Sequence, residues 1–120
     1  PLSVTPGAGP VSLSADPLGK FLYVANETSA NVSAFTINQT NGALGPLSVA
    51  GSPFPLPLAT SPQSITVELS GQFAYVANAS GTVTAFAINQ TSGTLGPLSV
   101  AGSPFPAGLS PSAITTVGRF

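Results

Sequence analysis

Asp16 and Glu68 are the two residues whose type and spacing suggest chemistry, because they occupy equivalent places in two copies of an internal repeat. A pair of carboxylates is the arrangement that hydrolyses sugar bonds by general acid and base catalysis. An alternative interpretation assigns Asp16 to its own turn, since an Asp that opens a sequence such as "DPLG" bonds the backbone that follows it. We favour the turn.

The sequence contains no His and no Cys. Ser–His–Asp and Cys–His nucleophile systems therefore cannot be assembled within the chain, nor can imidazole or thiolate metal sites. The sequence predicts no catalytic residue, no cofactor-binding residue and no metal ligand, and hence no cofactor.

Charge is scarce, at 4% of residues, and Lys20 and Arg119 are the only basic side chains. Two cations cannot neutralise a run of phosphates, so no nucleic-acid partner is expected. Every apolar run is interrupted well before the about 18 residues that a membrane helix needs, so no membrane span is expected either. The sequence begins without Met, which suggests a processed chain or a piece of a longer one.

The chain is a repeat protein, because "GPLSVAGSPFP" occurs at 45–55 and again at 96–106. Residues 10–55 overlay 62–106, with a one-residue deletion between "YVANETSAN" and "YVANASGT", where a loop is expected. A third, partial copy, "SAITTVGRF", lacks the acid.

Each copy contains four short segments rich in β-branched and aromatic residues, separated by Gly, Asn, Pro and Ser, which is the pattern of strands and hairpins. The segment "FLYVAN" is apolar on both faces, so both faces must be covered. The sequence thus predicts an all-β fold of four-stranded antiparallel sheets stacked as β-propeller blades. The predicted strands are 11–15, 21–26, 32–38 and 44–50 in the first copy, and 64–69, 73–78, 82–89 and 95–101 in the second.

With its trailing "GSPFP", the segment "DPLGKFLYVANETSANVSAFTINQTNGAL" resembles the blade repeat of the YVTN and lactonase-like seven-bladed β-propeller family, over essentially the whole chain. That family includes sugar-lactone hydrolases and surface-layer proteins. The resemblance implies that a lactonase site would draw on basic or imidazole groups around the central channel, for which only Lys20 and Arg119 are at hand.

The repeat predicts about two and a third blades: an outer strand (at 1–4) and linker at 1–9, blades at 10–61 and 62–110, and an inner strand (at 113–117) in 111–120. Such a set cannot close a ring of four to eight blades alone, so we expect other copies or a longer chain to complete it. Exposed blade faces and edge strands predict other copies of the chain as partners, in an oligomer or filament.

Five asparagines stand in Asn-x-Ser/Thr sequons and are glycosylation candidates: Asn38, Asn89, Asn31, Asn26 and Asn78. The first three fall in predicted hairpins and turns that face water. Asn26 and Asn78 end "YVAN", where a short amide tends to bond the backbone of the turn, so they are the weaker candidates.

Together these features suggest a non-enzymatic, secreted or cell-surface glycoprotein with a structural or adhesive role, assembled head to tail into a larger assembly or fibre. One alternative is a fragment of a seven-bladed lactonase-like hydrolase. A second is a carbohydrate- or peptide-binding module, which is weaker because the aromatic residues mostly occupy predicted core positions.

Overall fold

A computed structural model of the chain describes residues 7–47, 54–56, 61–98, 105–108 and 110–117. These residues form ten β-strands and no helix, so the described part of the chain contains no helix long enough to cross a membrane. The strands are β1 (Pro10–Ala15), β2 (Phe21–Asn26), β3 (Asn31–Ile37), β4 (Leu44–Pro46), β5 (Phe54–Pro55), β6 (Pro62–Val67), β7 (Phe73–Asn78), β8 (Thr82–Ile88), β9 (Leu95–Pro97) and β10 (Phe105–Pro106).

The strands form two antiparallel sheets with the same topology, β1-β2-β3-β4 and β6-β7-β8-β9. The short strand β5 pairs with Asn31 and Val32 of β3, whereas β4 pairs with the other end of β3, from Phe35 to Ile37. The strands β4 and β5 are therefore two pieces of one interrupted outer strand, and β9 and β10 repeat this arrangement on β8. The predicted all-β fold of four-stranded blades is confirmed. We call β1–β5 blade 1 and β6–β10 blade 2.

The inner strands β1 and β6 each begin with a proline that follows a residue of left-handed backbone, and the third copy has the same pair of residues at 110–111. The φ angles of Gly9, Ser61 and Ser110 are 68°, 54° and 50°. The carbonyl of Gly9 accepts the backbone N–H of Glu27 at 2.7 Å, and that of Ser61 accepts the N–H of Ala79 at 2.9 Å. This bond fixes the point at which the chain turns into each blade.

Successive side chains of a strand point to opposite faces, which gives each blade two distinct surfaces. We name them after the residues at equivalent places in β2 and β7. The tyrosine face consists of Phe21, Tyr23 and Ala25 in blade 1 and Phe73, Tyr75 and Ala77 in blade 2; the valine face includes Leu13 and Val24 in blade 1 and Ile65 and Val76 in blade 2.

The core lies between the tyrosine face of blade 1 and the valine face of blade 2. Tyr23 is fully buried there and Ile65 is 4% exposed, whereas Leu13, which matches Ile65 in the repeat, is 63% exposed. The strand "FLYVAN" is covered on both faces, as its pattern predicted, with only Leu22 half-buried.

Hydroxyl groups join the inner strands of successive units. The Oγ atoms of Ser12 and Ser14 accept the backbone N–H groups of Ile65 and Val67, each at 3.1 Å. The Oγ of Ser64, which matches Ser12, accepts the N–H of Ile114 at 3.2 Å. The inner strands thus stand side by side along the edge that lines the central channel in a closed propeller.

The segment 113–117, predicted as an inner strand, lies beside β6 but forms no ladder. A ladder needs a second strand of the same blade, and the residues that follow 117 lie outside the described residues. The predicted outer strand at 1–4, and the ends of those at 44–50 and 95–101, also fall outside the described residues. The division at 10–61 and 62–110 stays a prediction.

Candidate functional site

Asp16 stabilises the turn between β1 and β2. Its carboxylate accepts the backbone N–H groups of Leu18, Lys20 and Phe21 at 3.2, 2.6 and 2.8 Å. These contacts agree with the interpretation favoured from the sequence, in which Asp16 stabilises its own turn rather than forming a catalytic pair with Glu68.

Glu68 has the same role in the turn between β6 and β7. Its carboxylate accepts the backbone N–H groups of Ser70 and Gln72, both at 2.9 Å, that of Phe73 at 3.3 Å, and the hydroxyl of Ser70. Partial desolvation acts to raise the pKa of Glu68, but these hydrogen bonds outweigh it and lower the pKa below its ordinary value. A carboxylate held ionised by its own backbone is a poor general acid.

Glu27 is the third acid of the chain, and its side chain points away from its own turn to the next blade. The side-chain amide of Gln63, on inner strand β6, donates a hydrogen bond to Oε2 of Glu27. The same amide donates to the carbonyl of Ser61 at 3.2 Å. Both Glu27 and Gln63 are half-buried, so the pair meets solvent at the inner edge of the junction between the two blades.

The Glu27–Gln63 pair lies at the opposite end of the blades from Asp16. Glu27 follows β2 and Asp16 precedes it, and a strand of six residues is roughly 20 Å long. The pair was missed in the sequence because Glu27 and Gln63 are 36 positions apart. The sequence does contain one indication of the pair, because both residues differ between the two copies of the repeat. In the overlay Glu27 matches Ala79, and Gln63 matches Val11.

Lys20 contributes to the packing of the two blades. Its Nζ donates to the carbonyl of Gln90 at 3.0 Å and lies 5.3 Å from the centre of the Phe21 ring, a cation–π distance. Arg119 lies outside the described residues. Within the described ranges, no three His, Cys, Asp or Glu side chains come close enough together to hold a metal ion.

The five sequon asparagines occupy two kinds of position. Asn38 and Asn89 are exposed, and the Oδ1 of each accepts two backbone N–H groups of its hairpin. Asn31 is half-buried at the start of β3. Asn26 and Asn78 are fully buried, and their amides donate to Ser33 and Thr84, both at 2.9 Å. A sugar cannot reach the amides of the last two in this fold.

The fold defines a class, since two stacked four-stranded antiparallel sheets joined along their inner strands are consecutive blades of a β-propeller. The family described as lactonase, 7-bladed β-propeller matches residues 3–57. The chain is 36% identical over 96 residues to the 6-phosphogluconolactonase of Bacillus subtilis (strain 168), a match that covers 78% of the chain and 27% of the relative. The chain thus spans about a quarter of that relative.

Solved structures show the same fold. A putative 6-phosphogluconolactonase from Bacteroides fragilis NCTC 9343 matches with a TM-score of 0.77 at 21% identity, over 92% of this chain and 30% of that one. One from Bacteroides uniformis ATCC 8492 matches with a TM-score of 0.62 at 26% identity, over 78% of this chain and 27% of that one. These matches support a relationship to the lactonase-like propeller family, and the resemblance to the YVTN repeat stays a prediction.

The expectation of a non-enzymatic protein with a structural or adhesive role, assembled into a fibre, is wrong, whereas the extracellular or cell-surface location stays a prediction. The Bacillus subtilis relative and the Bacteroides uniformis structure are named as 6-phosphogluconolactonases, which are enzymes. The expectation relied on the absence of His and Cys in this chain. That composition describes two blades, which cover 27% of the Bacillus subtilis relative, so it does not exclude His or Cys in the other blades of such an enzyme. The alternative of a lactonase-like hydrolase fragment agrees better with the matches.

Proposed function

We propose that this chain forms two blades of a lactone hydrolase of the seven-bladed lactonase family, acting on a sugar lactone such as 6-phosphogluconolactone. The observation that supports the proposal is the 36% identity to the Bacillus subtilis enzyme, which extends over 96 residues.

Hydrolysis of a lactone requires water to add to the ring carbonyl and the ring oxygen to leave with a proton. A general base that removes the proton of water, and donors that stabilise the oxyanion, accelerate this reaction. Among the three acids of the chain, only Glu27 is not engaged by its own turn. Lys20 is occupied at the blade junction and Arg119 lies outside the described residues, so the described residues offer no further basic side chain to hold a phosphate.

The proposal is tested by following hydrolysis of 6-phosphogluconolactone by the natural-length protein that contains this chain, with the spontaneous rate subtracted. We expect saturable turnover. Turnover that does not exceed the spontaneous rate at any protein concentration would contradict the proposed function. Glu68→Gln serves as the control, because that carboxylate is used by its turn and its loss should leave kcat within about twofold.

A further inference from the structure

The contacts that stabilise blade 1 recur at equivalent positions in blade 2. A residue that differs between the two copies and still makes a specific contact is therefore a candidate for a role beyond folding. At the equivalent turn of blade 2, Ala79 stands where blade 1 has Glu27. The backbone bond is the same in both turns: the N–H of Glu27 reaches the carbonyl of Gly9, and that of Ala79 reaches Ser61. The turn therefore closes with Ala as well as with Glu, and the fold does not require the carboxylate.

Gln63 is a departure of the same kind. Its equivalents at the starts of the other inner strands are Val11 and Ser112. The strand β6 is held by bonds that do not involve the Gln63 side chain, from Ser12 and Ser14. Glu27 and Gln63, neither of which the blade fold requires, are thus in contact at the junction between blade 1 and blade 2.

The hydrogen-bond capacity of the pair points to the chemistry of a ligand. The Gln63 amide N–H groups are directed to Glu27 Oε2 and the Ser61 carbonyl. Within the described ranges, no donor lies within hydrogen-bond distance of Glu27 Oε1 or of Gln63 Oε1. Both residues are half-buried and reach solvent. The pair therefore offers two adjacent acceptor oxygens, one of them anionic, to a ligand that brings hydrogen-bond donors.

We propose that Glu27 and Gln63 form a site that binds the hydroxyl groups of a sugar or polyol. Neighbouring hydroxyls of a sugar can donate to the two oxygens. A phosphate or carboxylate group at the same place would be repelled by Glu27, so the hydroxyl-bearing part of a sugar acid is the part that binds here and its anionic end points away from Glu27. This inference rests on the proposed function only for the identity of the ligand, a sugar acid lactone or its product; the site itself is derived from the contacts above.

The test is a titration of the protein with D-gluconate, the unphosphorylated polyol acid, followed by proton–nitrogen NMR. We expect saturable shifts of the Gln63 side-chain NH2 signals, which a Gln63→Leu variant identifies, and of the Glu27 backbone amide. In Glu27→Ala, which reproduces the sequence of blade 2 and should fold, we expect affinity to fall about tenfold or more, the loss of one charge-assisted hydrogen bond. Glu68→Gln should bind like the wild type.

Each outcome decides for or against the site. Shifts that leave the Gln63 signals unmoved, or equal affinity in Glu27→Ala and the wild type, would overturn it even if lactone hydrolysis is found. Conversely, gluconate binding that depends on Glu27, in a protein without hydrolytic activity, would support the site and contradict the proposed function.

Discussion

The hydroxyl of Tyr23 donates a hydrogen bond of 2.8 Å to the carbonyl of Gly93, a residue 70 positions later in the chain. The bond joins the tyrosine face of blade 1 to the hairpin between β8 and β9 of blade 2. It is buried, and burial raises the pKa of the Tyr23 hydroxyl well above its ordinary value, with a further contribution from the charge of Asp16. The neutral hydroxyl is thus a fixed donor at the blade junction.

Tyr23→Phe removes this donor and leaves the buried carbonyl of Gly93 without it, so we expect the free energy of unfolding to fall by about 1–3 kcal/mol. Tyr75 occupies the same place in blade 2 but is only half-buried, and Tyr75→Phe should change stability by no more than about 0.5 kcal/mol. Urea unfolding of both variants measures the difference. Equal losses in the two would show that the contact to Gly93 contributes nothing specific.

Gly93→Ala should destabilise the protein by disturbing the packing between the two blades. A Cβ at Gly93 would lie 2.6 Å from the Phe21 ring, and φ there is 80°, whereas at Gly42, the equivalent glycine with φ of 77°, a Cβ would meet nothing within 4 Å. We expect Gly42→Ala to cost about 1–2 kcal/mol from the left-handed backbone alone, and Gly93→Ala about 1–3 kcal/mol more from overpacking. Thermal unfolding followed by circular dichroism measures both, and a smaller loss for Gly93→Ala than for Gly42→Ala would contradict the packing described here.

Ala30→Gly should stabilise the chain. Ala30 has a φ of 54° in the turn between β2 and β3, and Gly81 takes the equivalent place in blade 2 with a φ of 101°. Relief of the left-handed strain exceeds the entropic cost of glycine by about 0.5–1 kcal/mol. The reverse change, Gly81→Ala, should destabilise, since its Cβ would lie 2.7 Å from the carbonyl oxygen of Gly108. Opposite shifts of the urea midpoint, at an unchanged slope, are the expected result.

Glu68→Gln should make stability less dependent on pH in the acid range. The pKa of Glu68 is lower in the folded chain than its ordinary value of 4.5, so the ionised carboxylate stabilises the folded state. This contribution is present above that ordinary value and is lost as the pH falls through the folded-state pKa. Unfolding at pH 7 should show the wild type as the more stable protein, with the difference shrinking as the pH is lowered below 4.5. A difference that grows in acid would refute the role of the turn hydrogen bonds.

The repeat made the first three strands of each blade predictable to within one or two residues, whereas the outer strands β4 and β9 are shorter than predicted and end at Pro46 and Pro97. The predicted 21–26 and 73–78 are β2 and β7 as observed. The inner strands begin earlier than predicted, at Pro10 and Pro62, because a proline without an N–H can still open a strand. The sequence did not predict the two-residue strands β5 and β10, since a contact that short leaves no periodicity in the sequence.

The candidate site was predictable only in part. Asp16 and its turn could be read locally, because the residues that bond its carboxylate follow within five positions. Glu27 could not, because the residue that orients it belongs to another blade and is brought close only when the blades stack.

Association with other copies of the chain stays a prediction, as does the use of the exposed sequons at Asn38 and Asn89.

The contact of Tyr23 with Gly93 also bears on how such a chain can grow by gene duplication. Blade 1 supplies the tyrosine of this contact and blade 2 supplies the glycine, so a duplicated segment that reproduces the contact must span a whole blade. Single-residue changes in length are tolerated elsewhere, at the far end of the sheet, where the turn after Asn26 is one residue longer than the turn after Asn78. The hydrogen bond between Tyr23 and Gly93 thus limits changes of length between these two residues to whole blades. The turn after Asn26, which takes no part in that bond, accepts a single inserted residue.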